Sequence, residues 1–295
     1  MDSNPKQQSN APKVLPVLQP DTIPDGNAPV HPNLPQISGH GGGACLLMVS
    51  PVKTGKSTII SNLLLNSDFY DAQERFDSVD IISNTIANDV TSRFLKEAFN
   101  THDHYNDNII DGIVERQKSF EKEDQPEIAV VVDDCLGSIR REGRINHLAS
   151  RFRHYNIKLL IISSQNFRAV SPIIRQNATN IIIGSPFPNR KELLKVADEY
   201  GDLFGGADMF ISAYKYATPD RYNFIHLDLQ ENPPVMYKNF DFPVMIGEKP
   251  QFKEINKKNF SLEENLDNSI KDNGLTGNKR GKKSSKVTDS ELGTL

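Results

Sequence analysis

The amino-acid sequence predicts an α/β fold: a mostly parallel central sheet, flanked by helices, with an antiparallel hairpin at one edge. Short apolar segments of strand length alternate with segments whose apolar residues recur at helical spacing, and this alternation favours a parallel sheet. Two later apolar segments, 209–215 and 222–229, are separated by a short stretch that contains Pro219 and Asp220. Because proline and aspartate favour turns, we predict that these two segments form the antiparallel hairpin.

The elements before this hairpin follow one another without an internal repeat. The run of five apolar residues at 128–132 includes three valines and predicts a strand that is buried on both faces. The segment 89–99 carries Val90, Phe94 and Leu95 at helical spacing. The strands are predicted within 45–49, 78–83, 127–135, 157–166 and 181–184, and the helices within 59–65, 89–99, 109–119, 146–155 and 191–200.

The two ends of the chain lack these patterns. Residues 1–40 are rich in Pro, Asn, Gln and Gly, and residues 249–295 are mostly polar or charged. Neither end can therefore bury enough apolar surface to offset the conformational entropy lost when the chain becomes ordered. We therefore expect one folded domain at 41–248 between two disordered tails. A basic cluster at 279–286 could bind DNA, RNA or an acidic protein, or direct nuclear import, or simply keep the chain in solution.

Composition excludes several classes of protein. No apolar run approaches the roughly 20 residues of a membrane span, and the start of the chain lacks the plan of a signal peptide. Cys45 and Cys135 are the only cysteines and form no CxxC pair, so we expect no disulfide, no cysteine metal site and an intracellular location. The formal charge of −4 argues against a generally basic nucleic-acid binder, although a local basic surface stays possible.

The segment between the first strand and the first helix has the sequence SPVKTGKST. A tight loop in that context is typical of a Walker A phosphate-binding loop, in which backbone N–H groups and the start of the helix bind phosphate. We predict that Lys56 contacts the β and γ phosphates of ATP and that Ser57 binds Mg²⁺. The predicted nucleotide-binding residues are Ser50, Pro51, Val52, Lys53, Thr54, Gly55, Lys56, Ser57 and Thr58. Ser50 departs from the usual glycine, and an ordinary turn between a strand and a helix is the alternative.

Two carboxylates follow the valine-rich strand, at the strand end where ligands bind in open α/β sheets. This arrangement is typical of a Walker B motif. We predict that Asp133 contacts the Mg²⁺ ion, through water, and that Asp134 polarises the attacking water as general base. Adjacent residues of a strand point to opposite sides, so the two carboxylates can take different roles. A solvated turn after the strand is the alternative interpretation.

The strand predicted within 157–166 also ends in polar residues. Gln165 can donate and accept hydrogen bonds at once, which suits a sensor of the γ-phosphate or of the attacking water. An amide that caps the next helix is the alternative.

Four segments together resemble one family, the DNA-packaging ATPases of large nucleocytoplasmic DNA viruses of the poxvirus type, which belong to the FtsK–HerA group of ring-forming DNA pumps. They are the loop at Lys56, the segment Asp133-Asp134-Cys135-Leu136-Gly137, the segment from Arg151 through Ile157 to Gln165, and residues 172–179. The resemblance extends over residues 43–246, and their order and spacing are more specific than any single motif.

The resemblance implies a P-loop ATPase that assembles as a homo-oligomeric ring, commonly a hexamer, around duplex DNA without sequence specificity. Such rings hydrolyse ATP with Mg²⁺ at subunit boundaries and drive DNA into a preformed capsid, so a capsid protein is an expected partner. The implied location is the host cell, in a cytoplasmic viral factory or the nucleus, and the virion itself.

A motor of this kind also implies an arginine supplied in trans to the neighbouring subunit's nucleotide. Our candidates are Arg153 and Arg175, with Arg151 and Arg168 as second choices, and for each of them an ordinary surface ion pair is the alternative. A motor must hold DNA phosphates without reading bases. The basic cluster of Arg140, Arg141 and Arg144 could do so, or it could be an ordinary charged turn.

Two other functional classes stay open. A nucleoside or nucleotide kinase would share the phosphate loop and the Mg²⁺ site but needs an arginine-bearing lid and an acceptor pocket. A non-catalytic nucleotide-binding scaffold would explain Ser50 as decay of the site. The presence together of Lys56, Ser57, Asp133, Asp134 and Gln165 favours a hydrolytic motor over both.

Overall fold

The computed structural model describes residues 31–37, 42–87, 92–139, 143–187 and 190–244. The strands within these ranges are β1 Ala44–Val49, β2 Ser78–Ser83, β3 Asn100–His102, β4 Ile128–Asp133, β5 Ile157–Ser164, β6 Asn180–Gly184, β7 Phe224–Asp228, β8 Val235–Lys238 and β9 Phe242–Pro243. The helices are α1 Lys56–Leu65, α2 Ala72–Arg75, α3 Arg93–Ala98, α4 Asp107–Lys118, α5 Arg144–Arg151, α6 Pro172–Asn177, α7 Arg190–Tyr200 and α8 Ala207–Ala217. Short 3₁₀ turns lie at 136–138, 152–155, 167–169 and 201–204.

The nine strands form one sheet in the order β3-β2-β4-β5-β1-β6-β7-β8-β9. Pairing is parallel from β3 to β6 and antiparallel from β6 to β9. The predicted mixed α/β fold, with a mostly parallel sheet and an antiparallel edge, is therefore confirmed.

Alternating side chains of the central strands enter two separate hydrophobic clusters, one on each face of the sheet. In β1, Cys45, Leu47 and Val49 belong to one cluster, whereas Ala44, Leu46 and Met48 belong to the other. Every residue of β1, β4 and β5 is buried. Burial on both faces explains why these strands consist mainly of consecutive apolar residues, although β5 also contains Lys158 and ends in Ser163 and Ser164.

The strand order brings together, at one edge of the sheet, the segments that follow β1, β4 and β5. β5 lies between β4 and β1, and the register pairs Val132 with Ile162 and Val49 with Ser164. Because the three strands are parallel, the residues after Val49, after Val132 and after Ser164 emerge side by side. The phosphate loop, the two aspartates and Gln165 therefore lie at the same carboxyl edge.

One predicted strand is wrong. Residues 209–215 lie within α8, whose buried residues Phe210, Ala213, Tyr214 and Ala217 follow helical spacing and pack on the core. Periodicity cannot separate a strand from a helix in so short an apolar run. The antiparallel hairpin is formed instead by β7, within the predicted 222–229, and β8.

The other predicted elements agree with the structure in type and differ mainly in their ends, whereas α2, β3, α6, β8 and β9 were not predicted. The helix predicted at 146–155 is α5 followed by a 3₁₀ turn at 152–155. The helix predicted at 89–99 is described from Arg93 onward, and residues 88–91 lie outside the described residues. Among the described helices, none combines the length and apolar character that crossing a lipid bilayer requires.

Part of the expected N-terminal tail packs on the domain. Leu34 and Ile37 are buried, and the hydroxyl of Tyr70 donates to the carbonyl of Pro35 at 3.1 Å. The folded unit therefore includes residues 31–37, which lie before the predicted start at 41. The other residues of the tail predicted at 1–40 lie outside the described residues, as do the tail predicted at 249–295 and its basic cluster at 279–286.

Candidate active site

The phosphate loop joins the buried end of β1 to the start of α1 through two left-handed residues. Lys53 has a φ of 61° and Gly55 a φ of 95°, so the chain turns back on itself before α1 begins at Lys56. The hydroxyl of Thr54 donates to the carbonyl of Pro51 at 2.6 Å and is itself hydrogen-bonded to the hydroxyl of Ser50. These side-chain bonds hold the loop closed on itself.

Ser50 is accommodated by a glycine on the neighbouring strand. Gly184 ends β6, and a Cβ atom built on it would lie 2.7 Å from the Cβ of Ser50 and would overlap the Ser50 hydroxyl. The loop therefore lacks glycine at its first position, but the sheet provides one directly opposite. Sequence reasoning missed Gly184, because its relation to Ser50 depends on β6 lying next to β1.

Lys56, Asp134 and Gln165 form one hydrogen-bonded cluster. The Nζ atom of Lys56 lies 3.0 Å from Oδ1 of Asp134, and the Nε2 amide of Gln165 donates to Oδ2 of Asp134 at 2.6 Å. The side chains of Lys56 and Asp134 are only 9% and 14% exposed. The cluster therefore places a cation, a carboxylate and an amide together at the carboxyl edge, in a setting where charge interactions are weakly screened.

Asp134 is also conformationally unusual. Its φ is 55°, in the left-handed region that residues other than glycine seldom occupy. Its backbone N–H donates to the hydroxyl of Ser163 at 3.2 Å. Backbone strain of this kind costs on the order of 1–3 kcal/mol and tends to occur at functional sites.

Asp133 points away from this cluster to a second set of partners. The hydroxyls of Ser83 and Ser163 donate to its two carboxylate oxygens, the first at 3.1 Å. Burial raises the pKa of Asp133, and the hydrogen bond from Ser163 opposes that rise. Ser83 and Ser163 were missed from the sequence, because their contact with Asp133 depends on β2 and β5 lying on either side of β4.

The donor set fits Mg²⁺. Magnesium prefers oxygen ligands and binds through one or two carboxylates together with water and phosphate rather than in an all-protein cage. Each carboxylate oxygen of Asp133 accepts one hydroxyl and retains a second lone pair. Ser57 lies in the first turn of α1 and is partly exposed. Within the described ranges no three His, Cys, Asp or Glu side chains group as a metal site.

Arg153 lies at the opposite edge of the sheet from this site. It precedes β5, donates from Nε to the carbonyl of Gly43 at 3.2 Å, and places its guanidinium 5.2 Å from the ring centre of Phe152. A groove of about 980 Å³ opens there, lined in part by Arg151 and Arg153. Neither arginine can reach the phosphate loop of its own chain, because β5 separates the two edges.

The other candidate arginines are held by carboxylates. Arg175 pairs with Glu199 and lies 4.8 Å from the ring centre of Phe167. The Nε atom of Arg168 lies 3.0 Å from Oε1 of Glu192.

Of the basic cluster after the aspartates, only Arg144 is described, and its Nε lies 3.1 Å from Oδ1 of Asp111. Arg140 and Arg141 lie outside the described residues.

The fold with its phosphate loop at the carboxyl edge defines the class: this is a P-loop ATPase fold. No protein-family model matches the chain, and no curated protein matches it either.

Among solved structures, the chain is similar to B204, the DNA-packaging ATPase from Sulfolobus Turreted Icosahedral Virus, at 17% identity and a TM-score of 0.51, over 68% of this chain and 98% of that one. It is also similar to the genome packaging NTPase B204 from Sulfolobus turreted icosahedral virus 2 in complex with AMP, at 18% identity and a TM-score of 0.49, over 67% and 96% of the two chains. The cytoplasmic domain of the type VII secretion ATPase EccC from Thermomonospora curvata follows at 16% identity and a TM-score of 0.36, over 51% and 20%. At 17% identity, the likeness to the first of these structures shows the fold alone.

Proposed function

We propose that this protein binds and hydrolyses ATP with Mg²⁺ and couples hydrolysis to movement of duplex DNA, as a genome-packaging motor of the poxvirus type within the FtsK–HerA group. The observation that carries the proposal is the contact of Lys56 and Gln165 with the two oxygens of Asp134, beside the phosphate loop. The likeness of fold to a viral packaging ATPase supports the same proposal.

The contacts among Lys56, Asp134 and Gln165 suggest a separate catalytic role for each residue. The ammonium group of Lys56 lies against the carboxylate of Asp134, so a bound triphosphate would compete with Asp134 for that ammonium group. Once Lys56 turns to the phosphates, Asp134 is free to accept a proton from the attacking water. Gln165 donates to Asp134, and this contact supports the proposal that Gln165 would help to orient the attacking water.

Ser57 and Asp133 would hold the metal. Bound Mg²⁺ would neutralise charge on the phosphates during phosphoryl transfer. The chain's own contribution is to keep Asp133 fixed, and the two serine hydroxyls that donate to it do this.

A ring is part of the proposal because of where Arg153 lies. An arginine at the edge opposite its own nucleotide site can contact phosphate only in a neighbouring copy. We propose a homo-oligomeric ring, with a hexamer as the expected size, that encloses duplex DNA and docks on a capsid protein in the host cell or the virion. Contact with DNA phosphates is assigned to the loop around Arg144 and to the basic cluster at 279–286.

The test is ATP hydrolysis measured with and without duplex DNA. Stimulation by duplex DNA is the result expected of a motor. Transfer of phosphate to a nucleoside would instead indicate a kinase, and absence of any turnover would indicate a scaffold. Light scattering after size-exclusion chromatography, with and without ATP and DNA, measures the ring directly.

Mixed rings test the assignment of the trans arginine. Arg153→Ala and Arg175→Ala subunits are each combined with Lys56→Ala subunits, which keep their arginines but lack a working site. Activity restored by mixing identifies the arginine that acts across the boundary. Failure of both combinations to recover activity would contradict a trans arginine at either position.

A further inference from the structure

The loop at 218–223 lies beside the phosphate loop on the side away from the catalytic residues. β1 has β5 and then β4 on one side, and β6 and then β7 on the other. β7 runs antiparallel to β6 and pairs Phe224 with Gly184. The residues just before β7 therefore emerge at the same carboxyl edge as the phosphate loop, opposite to the side of Asp134 and Gln165.

Two consecutive residues of this loop contact the phosphate loop. The Nη2 atom of Arg221 donates to the carbonyl of Lys53 at 3.2 Å. A Cβ atom built on Gly55 would lie 3.5 Å from Cδ1 of Tyr222, so the tyrosine ring lies against the turn that begins α1. The Arg221 guanidinium carbon lies 5.0 Å from the ring centre of Tyr222, within the range of a cation–π contact.

Tyr222 is both strained and exposed. Its φ is 73°, and a positive φ at a bulky residue is a genuine outlier that the surrounding structure must hold in place. The residue is nevertheless 58% exposed, so the conformation is not explained by burial of the ring. The ring of Tyr222 is thus held in a strained backbone conformation while most of its surface faces water. A ring in this setting is available to stack on a planar ligand.

We propose that Tyr222 stacks on the nucleobase of the bound nucleoside triphosphate, with Arg221 fixing the ring from the phosphate loop. This inference rests on the proposed ATPase function. In the proposed site, Asp134 and Gln165 act on the γ-phosphate, so the γ-phosphate would lie on the β4–β5 side of the phosphate loop. The nucleoside would then lie on the other side of the loop, next to β6 and β7, where Tyr222 lies. Stacking on an aromatic ring tolerates any base, so the contact adds affinity for a nucleoside without selecting adenine from guanine.

The experiment compares two ligands that share phosphates but differ in the nucleoside. Binding of the non-hydrolysable analogue AMPPCP and of inorganic tripolyphosphate, each with Mg²⁺, is measured by calorimetry. Tyr222→Gly removes the ring and also relieves the left-handed strain, whereas Tyr222→Phe keeps the ring. Phe120→Ala is the matched control, because Phe120 is another exposed aromatic residue (44%) but lies between α4 and β4 at the opposite edge.

Tyr222→Gly should weaken AMPPCP binding about 10-fold, as expected for loss of one stacked base, and leave tripolyphosphate binding within about twofold. Tyr222→Phe and Phe120→Ala should change neither affinity by more than about twofold. An equal loss for both ligands in Tyr222→Gly, or no loss for AMPPCP, would overturn the inference. Wild-type protein that binds tripolyphosphate as tightly as AMPPCP would overturn it as well. Wild-type protein that binds neither ligand would overturn the proposed function, and this inference would fall with it.

Discussion

Replacing Gly184 by alanine tests the contact that lets the phosphate loop carry Ser50. The new Cβ would lie 2.7 Å from the Cβ of Ser50 and would overlap its hydroxyl. Ser50 is buried, and its hydroxyl is hydrogen-bonded to Thr54, so the side chain cannot turn away without breaking that bond. Gly184 does not have a positive φ, so alanine meets no backbone strain there and the whole effect comes from Ser50.

The expected cost combines three terms. Overpacking a filled site costs about 1–3 kcal/mol, and loss of a buried hydrogen bond costs about 1 kcal/mol more. Replacing glycine by alanine returns roughly 0.4–1 kcal/mol through the unfolded chain. The net loss is therefore about 2 kcal/mol, which lowers Tm by roughly 4–8 °C in a domain of this size. ATP-analogue binding should weaken as well, because the displaced Ser50 begins the loop.

Ser50→Gly provides the rescue. Without the serine side chain, the nearest remaining atom to the new Cβ of Ala at position 184 is the Cα of residue 50 at 3.5 Å, an ordinary contact. Thermal unfolding of Gly184→Ala, Ser50→Gly and the double variant therefore forms a double-mutant cycle with a large coupling term. The double variant should be about as stable as Ser50→Gly alone. Additive losses in the double variant, or an unchanged Tm in Gly184→Ala, would refute the reasoning.

Three further perturbations follow from the site and the core. Lys56→Ala should raise the Kd for an ATP analogue at least about 100-fold, measured by calorimetry, because charge-assisted bonds to phosphate are lost; retained affinity would contradict its role. Asp134→Asn should keep or modestly strengthen analogue binding, since Lys56 is released from a full negative charge, yet slow hydrolysis by about 10²–10⁴-fold; a normal ATPase rate would show that the general base is misassigned. Burial lowers the pKa of His226 to about 3, so the unfolded chain, with a pKa near 6.5, binds the extra proton first as pH falls. The free energy of unfolding should therefore fall as the pH drops below 6.5, with a slope that approaches about 1.4 kcal/mol per pH unit near pH 5. Denaturant titrations of His226→Gln should lack that component.

The sequence was most informative where burial dictates composition. Strands β1, β4 and β5 are covered on both faces, so each contains at least four consecutive apolar residues, and each was predictable for that reason. Once the strands are parallel, their carboxyl ends share one edge. That rule places Lys56, Asp134 and Gln165 at one edge of the sheet. Their direct contact also requires that β5 lie between β4 and β1.

Contacts that depend on strand order were beyond the sequence. Ser163 bridges to Asp133 only because β5 lies next to β4, and Gly184 faces Ser50 only because β6 lies next to β1. Nothing local to these residues encodes their neighbours. The strand predicted at 209–215 was wrong for a different reason. A short apolar run fits both the helical and the strand period, and the packing of α8 on the core decides between the two structures.

The structure also distinguishes the two arginines that sequence reasoning could not separate. A trans arginine must bring an uncompensated charge to the neighbouring phosphate, since a guanidinium already paired with a carboxylate contributes less and must first be released. Arg175 is paired with Glu199 and only 20% exposed. Arg153 is bonded to the neutral carbonyl of Gly43, and among the described residues no carboxylate forms an ion pair with it. Arg153 also lies at the edge opposite the phosphate loop of its own chain. If the proposed ring forms, the absence of a paired carboxylate therefore favours Arg153 over Arg175 as the trans arginine.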